Sequence, residues 1–175
     1  MIFCGKINQK QKNIKQRKIT IVITMLQFVN SKKKKELTKQ LDERFGITKE
    51  TFNDYHFIEN DEKFWICSQD TTSIDFKNLR TEGIGMLFAR KGITLKPTTN
   101  MIQLFGNQAA KNIVELNEEQ KTRFLSGLDI SELDANVDSG YVIVKFQDNY
   151  LGCSLYKEGT LKNQIPKARR IKKLY

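Results

Sequence analysis

The segment Gly140 to Pro166, GYVIVKFQDNYLGCSLYKEGTLKNQIP, constrains the fold of this 175-residue chain more than any other. GYVIVKF (Gly140 to Phe146) is rich in β-branched residues, which are stiff at χ1 and pack well on a pleated surface. Asp148-Asn149 supplies a tight turn, and YLGCSLY (Tyr150 to Tyr156) reads as the hairpin partner. Glu158-Gly159 makes the next turn, and LKNQI runs on to Pro166. Short strands separated by turns, with few helices, predict a small barrel in this half of the chain.

Upstream, the signals alternate. Ser31 to Phe45 predicts a helix: Ser31 stands as N-cap, Leu37, Leu41 and Phe45 recur at helical spacing, and Gly46 closes it. FIEN and KFWICS predict a hairpin around Asp61, with Phe64 and Trp65 read as packing residues. QDTTSIDFKN reads as a linker, which sets a domain boundary near residue 76. GIGMLFARKG (Gly83 to Gly92) predicts a strand, and Pro97 directs Lys96 out of the helical region. Thr98 or Thr99 then caps a short helix that ends at Gly106, KNIVEL (Lys111 to Leu116) is a strand, and Asn117 caps EEQKTRFLSG.

The charge is distributed unevenly. The formal net charge is +10, yet residues 1–40 hold eleven Lys/Arg against Glu36 alone, and residues 157–175 hold seven against Glu158 alone. The body between carries twelve bases and eighteen acids, so it is mildly acidic between two basic ends. That layout suits a polyanion whose counterions are released on binding. Residues 1–24 are a polar basic tail, read either as a disordered arm or as an upstream start ahead of Met25. Lys32 to Lys35 read as a solvated helix face. In the closing stretch, Leu161, Ile165, Ile171 and Leu174 interleave with six cations, a pattern expected of a segment docked on a core with its charges outward.

Several chemistries find no support. ITIVITML (Ile19 to Leu26) is too short to span a bilayer, and no lipidation signal is present, so no membrane role is expected. Cys4, Cys67 and Cys153 are odd in number and far apart, which predicts free thiols and a cytoplasmic protein. His56 is the one histidine, so zinc-ligand spacing is absent. Gly83-Ile-Gly85 lacks the third glycine of a dinucleotide loop. No cofactor and no catalytic residue are assigned, and an enzyme is disfavoured.

The run GYVIVKFQDNYLGCSLYKEGTLKNQIPKARR resembles the end of PUA-type RNA-binding domains. The matching positions are Leu151-Gly152, then Gly159, Leu161, Lys162, Asn163, Pro166, Lys167 and Arg170, with Lys96-Pro97-Thr98 as an upstream landmark. The resemblance covers about residues 80–175. It is closest to the domain attached to RNA cytosine methyltransferases of the Sun family, and to an archaeal group in which that domain stands without the enzyme. The methyltransferase domain has no counterpart here.

The resemblance implies an α+β protein, with a small N-terminal α/β domain (25–76) followed by a PUA-like mixed β-barrel with short helices (77–175). It implies contact with structured rRNA or tRNA in RNA modification or ribosome biogenesis, with a modifying enzyme or an assembly protein as a further partner. The expected RNA-binding residues are Lys162, Asn163, Lys167, Arg169, Arg170, Lys96, Arg90 and Lys91. Arginine forks suit phosphate or stacking on an unpaired base. A plainer reading of LKNQIP stands beside this one: Leu161 and Ile165 fill the core while Asn163 satisfies a turn. A protein-interaction scaffold in ribosome assembly, and an RNA-modifying enzyme with an unrecognised active site, are the rival functions.

Overall fold

The computed structural model describes residues 27–73 and 84–172. The expected tail at 1–24, most of the linker with the boundary at 76, and Leu174 lie outside the described residues. Two sheets, the helices packed on them and short 3₁₀ turns make up the described residues. Strands β1 (Gln27–Phe28), β2 (Tyr55–Asn60), β3 (Lys63–Ser68), β4 (Met86–Arg90) and β5 (Lys96–Pro97) form one antiparallel sheet in that order. Strands β6 (Ile113–Glu115), β7 (Gly140–Phe146), β8 (Asn149–Lys157) and β9 (Thr160–Asn163) form the second, where β6 runs parallel to β7 and the other pairs are antiparallel.

The expected barrel is not formed. Among the described residues no ladder joins the two sheets. The strands at the facing edges are short: β5 holds two residues and β6 three. The sheets are instead held together by side chains. Phe57, Phe64, Ile66 and Phe88 of the first sheet share one core with Ile143 and Cys153 of the second. Leu37, Leu41 and Phe45 of helix α1 (Ser31–Phe45) and Met101, Ile102 and Phe105 of helix α2 (Thr99–Phe105) complete that core. The second sheet buries its opposite face too, where Val142, Val144, Leu161 and Ile165 meet Phe124 of helix α3 (Glu118–Leu125). Burial on both faces explains why GYVIVKF is a continuous apolar run rather than an alternating one.

The first sheet also runs across the expected boundary at residue 76, since β3 pairs with β4. A polar tie reinforces the continuity. Arg44 donates from Nε to the Tyr141 carbonyl at 2.6 Å and from Nη2 to the Asp138 carbonyl at 2.8 Å. Asn112 donates to the Arg44 carbonyl at 2.8 Å and accepts from the Asp138 amide at 2.8 Å. The last turn of α1 is thereby fixed to the start of β7.

Local signals decide most element ends. The N-cap of α1 is Asn30, one residue before the expected Ser31, because its side chain accepts from the Lys33 amide at 2.9 Å. Gly46 takes the left-handed C-cap as predicted. Asn117 and Gln120 form a capping box at α3, with Glu118 and Glu119 in the first turn. The β7–β8 turn is Gln147-Asp148, with Gln147 at φ 50°, one residue earlier than expected. The lysine run divides: Lys32 and Lys35 are exposed, whereas Lys34 turns inward and donates to the carbonyls of Phe52 (2.9 Å) and Tyr55 (2.7 Å). No helix among the described residues is long and apolar enough to cross a membrane.

Candidate nucleic-acid interface

The closing segment is docked through two of its apolar residues, whereas Ile171, expected to dock with them, is 51% exposed. Leu161 and Ile165 are buried, and Leu161 exchanges two backbone hydrogen bonds with Ile130 (2.7 and 3.1 Å). Asn163 fixes the corner that follows. Its Nδ2 donates to the carbonyls of Phe124 (2.6 Å) and Leu128 (3.3 Å), and its Oδ1 accepts from the Ile165 amide at 2.9 Å. A carboxamide used at both ends in this way has little left for a phosphate.

Lys162 and Arg170 are committed as well. The Asp129 carboxylate accepts from the Asn163 amide (2.8 Å) and from Lys162 Nζ (2.9 Å). Those two donors, the backbone one first, hold the Asp129 pKa below its ordinary 3.8. Arg170 donates to the Ile165 carbonyl at 3.2 Å and lies across Gly127. At Gly127, φ is 87° and an added Cβ would sit 2.4 Å from the guanidinium stem, so glycine meets both a left-handed backbone and a close approach.

A different subset of the expected residues converges. Pro166 turns the chain into a 3₁₀ turn (Lys167–Arg169), which sets Arg169 opposite β4, β5 and α2. A groove of about 380 Å³ opens there, lined by Arg90, Lys96 and Arg169 with Thr99, Asn100 and Gln164 among its neutral polar groups. No carboxylate is among the described residues that line it. Arg90 sits at the end of β4, paired in register with Lys96 of β5. Thr98 holds the corner between β5 and α2: its hydroxyl donates to the Leu87 carbonyl (2.7 Å) and accepts from the Met101 amide (3.2 Å). Lys96 bonds Gln164 and lies over the Tyr141 ring at 5.8 Å, so its ammonium is positioned rather than free. Arg90, Arg169 and Lys167 are exposed and have no side-chain partner among the described residues.

The expected set therefore separates by location. Arg90, Lys96 and Arg169 share the groove, and Lys167 stands beside it in the same turn. Lys162, Asn163 and Arg170 are tied to the α3–β9 side, and Lys91 pairs with Glu59 above the Phe64 ring. Sequence reasoning missed Asn100 and Gln164, neutral residues that carry no charge signal. Cys153 lies behind the groove, its thiol pushed up to about 12 by burial despite Lys96 and Arg44 nearby.

Residues 111–171 match the family described as the methyltransferase RsmF PUA domain. The chain carries a PUA-like domain related to the C-terminal domains of Sun-family rRNA methyltransferases. The PUA match takes in the second sheet, α3 and the closing segment, and the groove lies where that unit meets β4, β5 and α2. Ribosomal RNA small subunit methyltransferase F of Shewanella halifaxensis is 29% identical over 140 residues, covering 78% of this chain and 28% of the relative. The protein of the same description from Shewanella oneidensis is 31% identical over 110 residues, covering 61% of this chain and 22% of the relative. The chain thus spans about a quarter of the length of the curated relatives it matches. These relatives are bacterial, so they do not carry the archaeal leaning of the sequence reading. Among solved structures, a conserved PUA domain protein from Thermoplasma acidophilum superposes with a TM-score of 0.49 at 15% identity, covering 74% of this chain and 78% of that one.

Proposed function

We propose that this chain is a non-catalytic RNA-binding protein that holds structured rRNA through the groove of Arg90, Lys96 and Arg169, and acts in rRNA modification or ribosome biogenesis. The observation that carries the reading is that groove: three cations brought together from β4, β5 and the closing 3₁₀ turn with no acid among the described residues that line it. Arg90 and Arg169 have no side-chain partner among the described residues, so their charge is available to phosphate, and Arg169 offers a forked donor in a turn fixed by Pro166. The PUA-like domain and its rRNA-methyltransferase relatives support RNA as the polyanion. Chemistry on the RNA is assigned to a separate catalyst.

The test is binding of labelled 16S rRNA fragments and total tRNA across a salt series, comparing the parent chain with an Arg90→Ala/Arg169→Ala variant. Both replaced side chains are exposed, so the variant is expected to fold. Affinity should fall linearly on logarithmic axes with salt, and the variant should bind more weakly with a slope reduced by about 1.5, some 0.7–0.9 for each lost phosphate contact. Equal binding by parent and variant would remove the groove from the proposal. Absence of binding to any RNA would favour the scaffold reading, whose apolar interface tolerates salt.

A further inference from the structure

A second recess lies beside the groove, and its chemistry differs. It has a volume of about 540 Å³ between α2, α3 and the β7–β8 hairpin. Its floor is apolar: Leu125, Phe146, Leu151 and the ring of Tyr150. The Tyr150 ring is set by contact with Gly106, where an added Cβ would lie 2.6 Å from the ring. Around this floor stand Gln103, Lys121, Asp148 and Asn149. The Lys121 ammonium is held 4.3 Å above the Phe146 ring and is neutralised by Glu118. The side chains of Gln103, Asp148 and Asn149 have no hydrogen-bond or ionic partner among the described residues.

The two sites adjoin along shared elements. Asn100 lines the groove and Gln103 lines the recess, three residues apart on one face of α2. On the opposite side, Arg169 lines the groove, and two residues later the Ile171 amide donates at 2.9 Å to the carbonyl of Leu125, which lines the recess. A strand whose phosphates lie on Arg90 and Arg169 therefore has its next nucleotides within reach of the recess.

We infer that this recess receives one unpaired nucleobase of the bound RNA strand, and that it favours guanine over uracil. The inference rests on the RNA-binding reading of the groove. A phosphate is a poor occupant, because the one cation present is already paired and the Asp148 carboxylate is uncompensated. A base edge fits better: flat and apolar on its faces, with mixed donors and acceptors at its rim. Asp148 accepts but cannot donate, so it selects an edge that offers adjacent N–H groups. Guanine presents N1–H and N2–H there, and its O6 accepts from the amides of Gln103 or Asn149. Uracil presents two carbonyl oxygens around a single N–H and leaves the carboxylate poorly matched.

The probe is a labelled eight-nucleotide oligouridylate and a series in which a single guanosine replaces each uridine in turn, measured against the parent chain, Asp148→Asn and Gln103→Ala. Both substituted side chains lack intramolecular bonds, and Asn suits the turn position of Asp148. At one register the guanosine should tighten binding about tenfold, the size of a good bidentate base contact. Asp148→Asn should abolish that preference, and Gln103→Ala should weaken it. Equal affinity for every strand, or a preference that survives Asp148→Asn, overturns the base subsite. If that happens while binding still depends on salt and on Arg169, the groove reading stands. If no strand and no rRNA fragment binds, both readings fall.

Discussion

Replacing Asn163 separates a contact residue from a residue that builds the contact surface. The side chain makes three hydrogen bonds, to the carbonyls of Phe124 and Leu128 and from the amide of Ile165. In Asn163→Ala the Phe124 carbonyl keeps a donor, the Gly127 amide at 2.9 Å. The Ile165 amide does not, and Ile165 is only 3% exposed, so one buried N–H is stranded. Losing two well-formed bonds and desolvating one donor costs about 2–3 kcal/mol. At 2–4 °C per kcal/mol for a chain of this size, the midpoint should fall by roughly 5–10 °C. Asn163→Asp should fall at least as far, because it turns a carboxylate towards two carbonyls and places it beside Asp129. Thermal unfolding by circular dichroism gives the midpoints, and fluorescence anisotropy with an rRNA fragment, well below the transition, gives affinity. The expected outcome is a large loss of stability with RNA affinity nearly kept. A midpoint within about 1 °C of the parent, together with weakened RNA binding, would refute the structural assignment and return Asn163 to the interface.

Two further outcomes follow from the buried and paired groups. The Asp129 pKa lies below its ordinary 3.8 in the folded chain, so its contribution is complete above that value and is lost as pH falls through the lower folded pKa. The midpoint difference between the parent and Asp129→Asn should therefore shrink steadily below about pH 4, and a difference independent of pH would contradict the pairing with Lys162. The Cys153 thiol, pushed up to about 12 and 3% exposed, should resist iodoacetamide at neutral pH in the folded chain and react once guanidinium unfolds it. Peptide mass mapping before and after unfolding reads this directly, and rapid labelling of native Cys153 would show that the groove floor opens.

Most of the local architecture was legible because it is written in short-range chemistry. The capping residue and the left-handed glycine bound α1, Asn117 and Gln120 bound α3, and the β-branched run at Val142 to Val144 specified a strand. The errors have the same origin. Asn30 and Ser31 are both good caps, and only the realised bond to the Lys33 amide chooses between them. Gln147 adopts a positive φ that its residue type does not advertise. Sheet closure was misjudged because it depends on how far strands extend, and β5 and β6 stop after two and three residues.

That the closing segment docks through Leu161 and Ile165, that the two ends of the chain are basic, and that the closing motif resembles a PUA domain could all be read from the letters. Each of these follows from residue type, spacing or the LKN-x-x-PK pattern. Which cations remain available was decided by tertiary structure alone. Lys162, Lys34 and Lys96 are equivalent as letters, yet one meets Asp129, one caps two carbonyls and one is steered over Tyr141 towards a groove. The partners that distinguish them lie 18 to 68 residues away. A charge is wholly free for binding only when packing brings it no acid and no backbone carbonyl, and packing is a property of the folded chain.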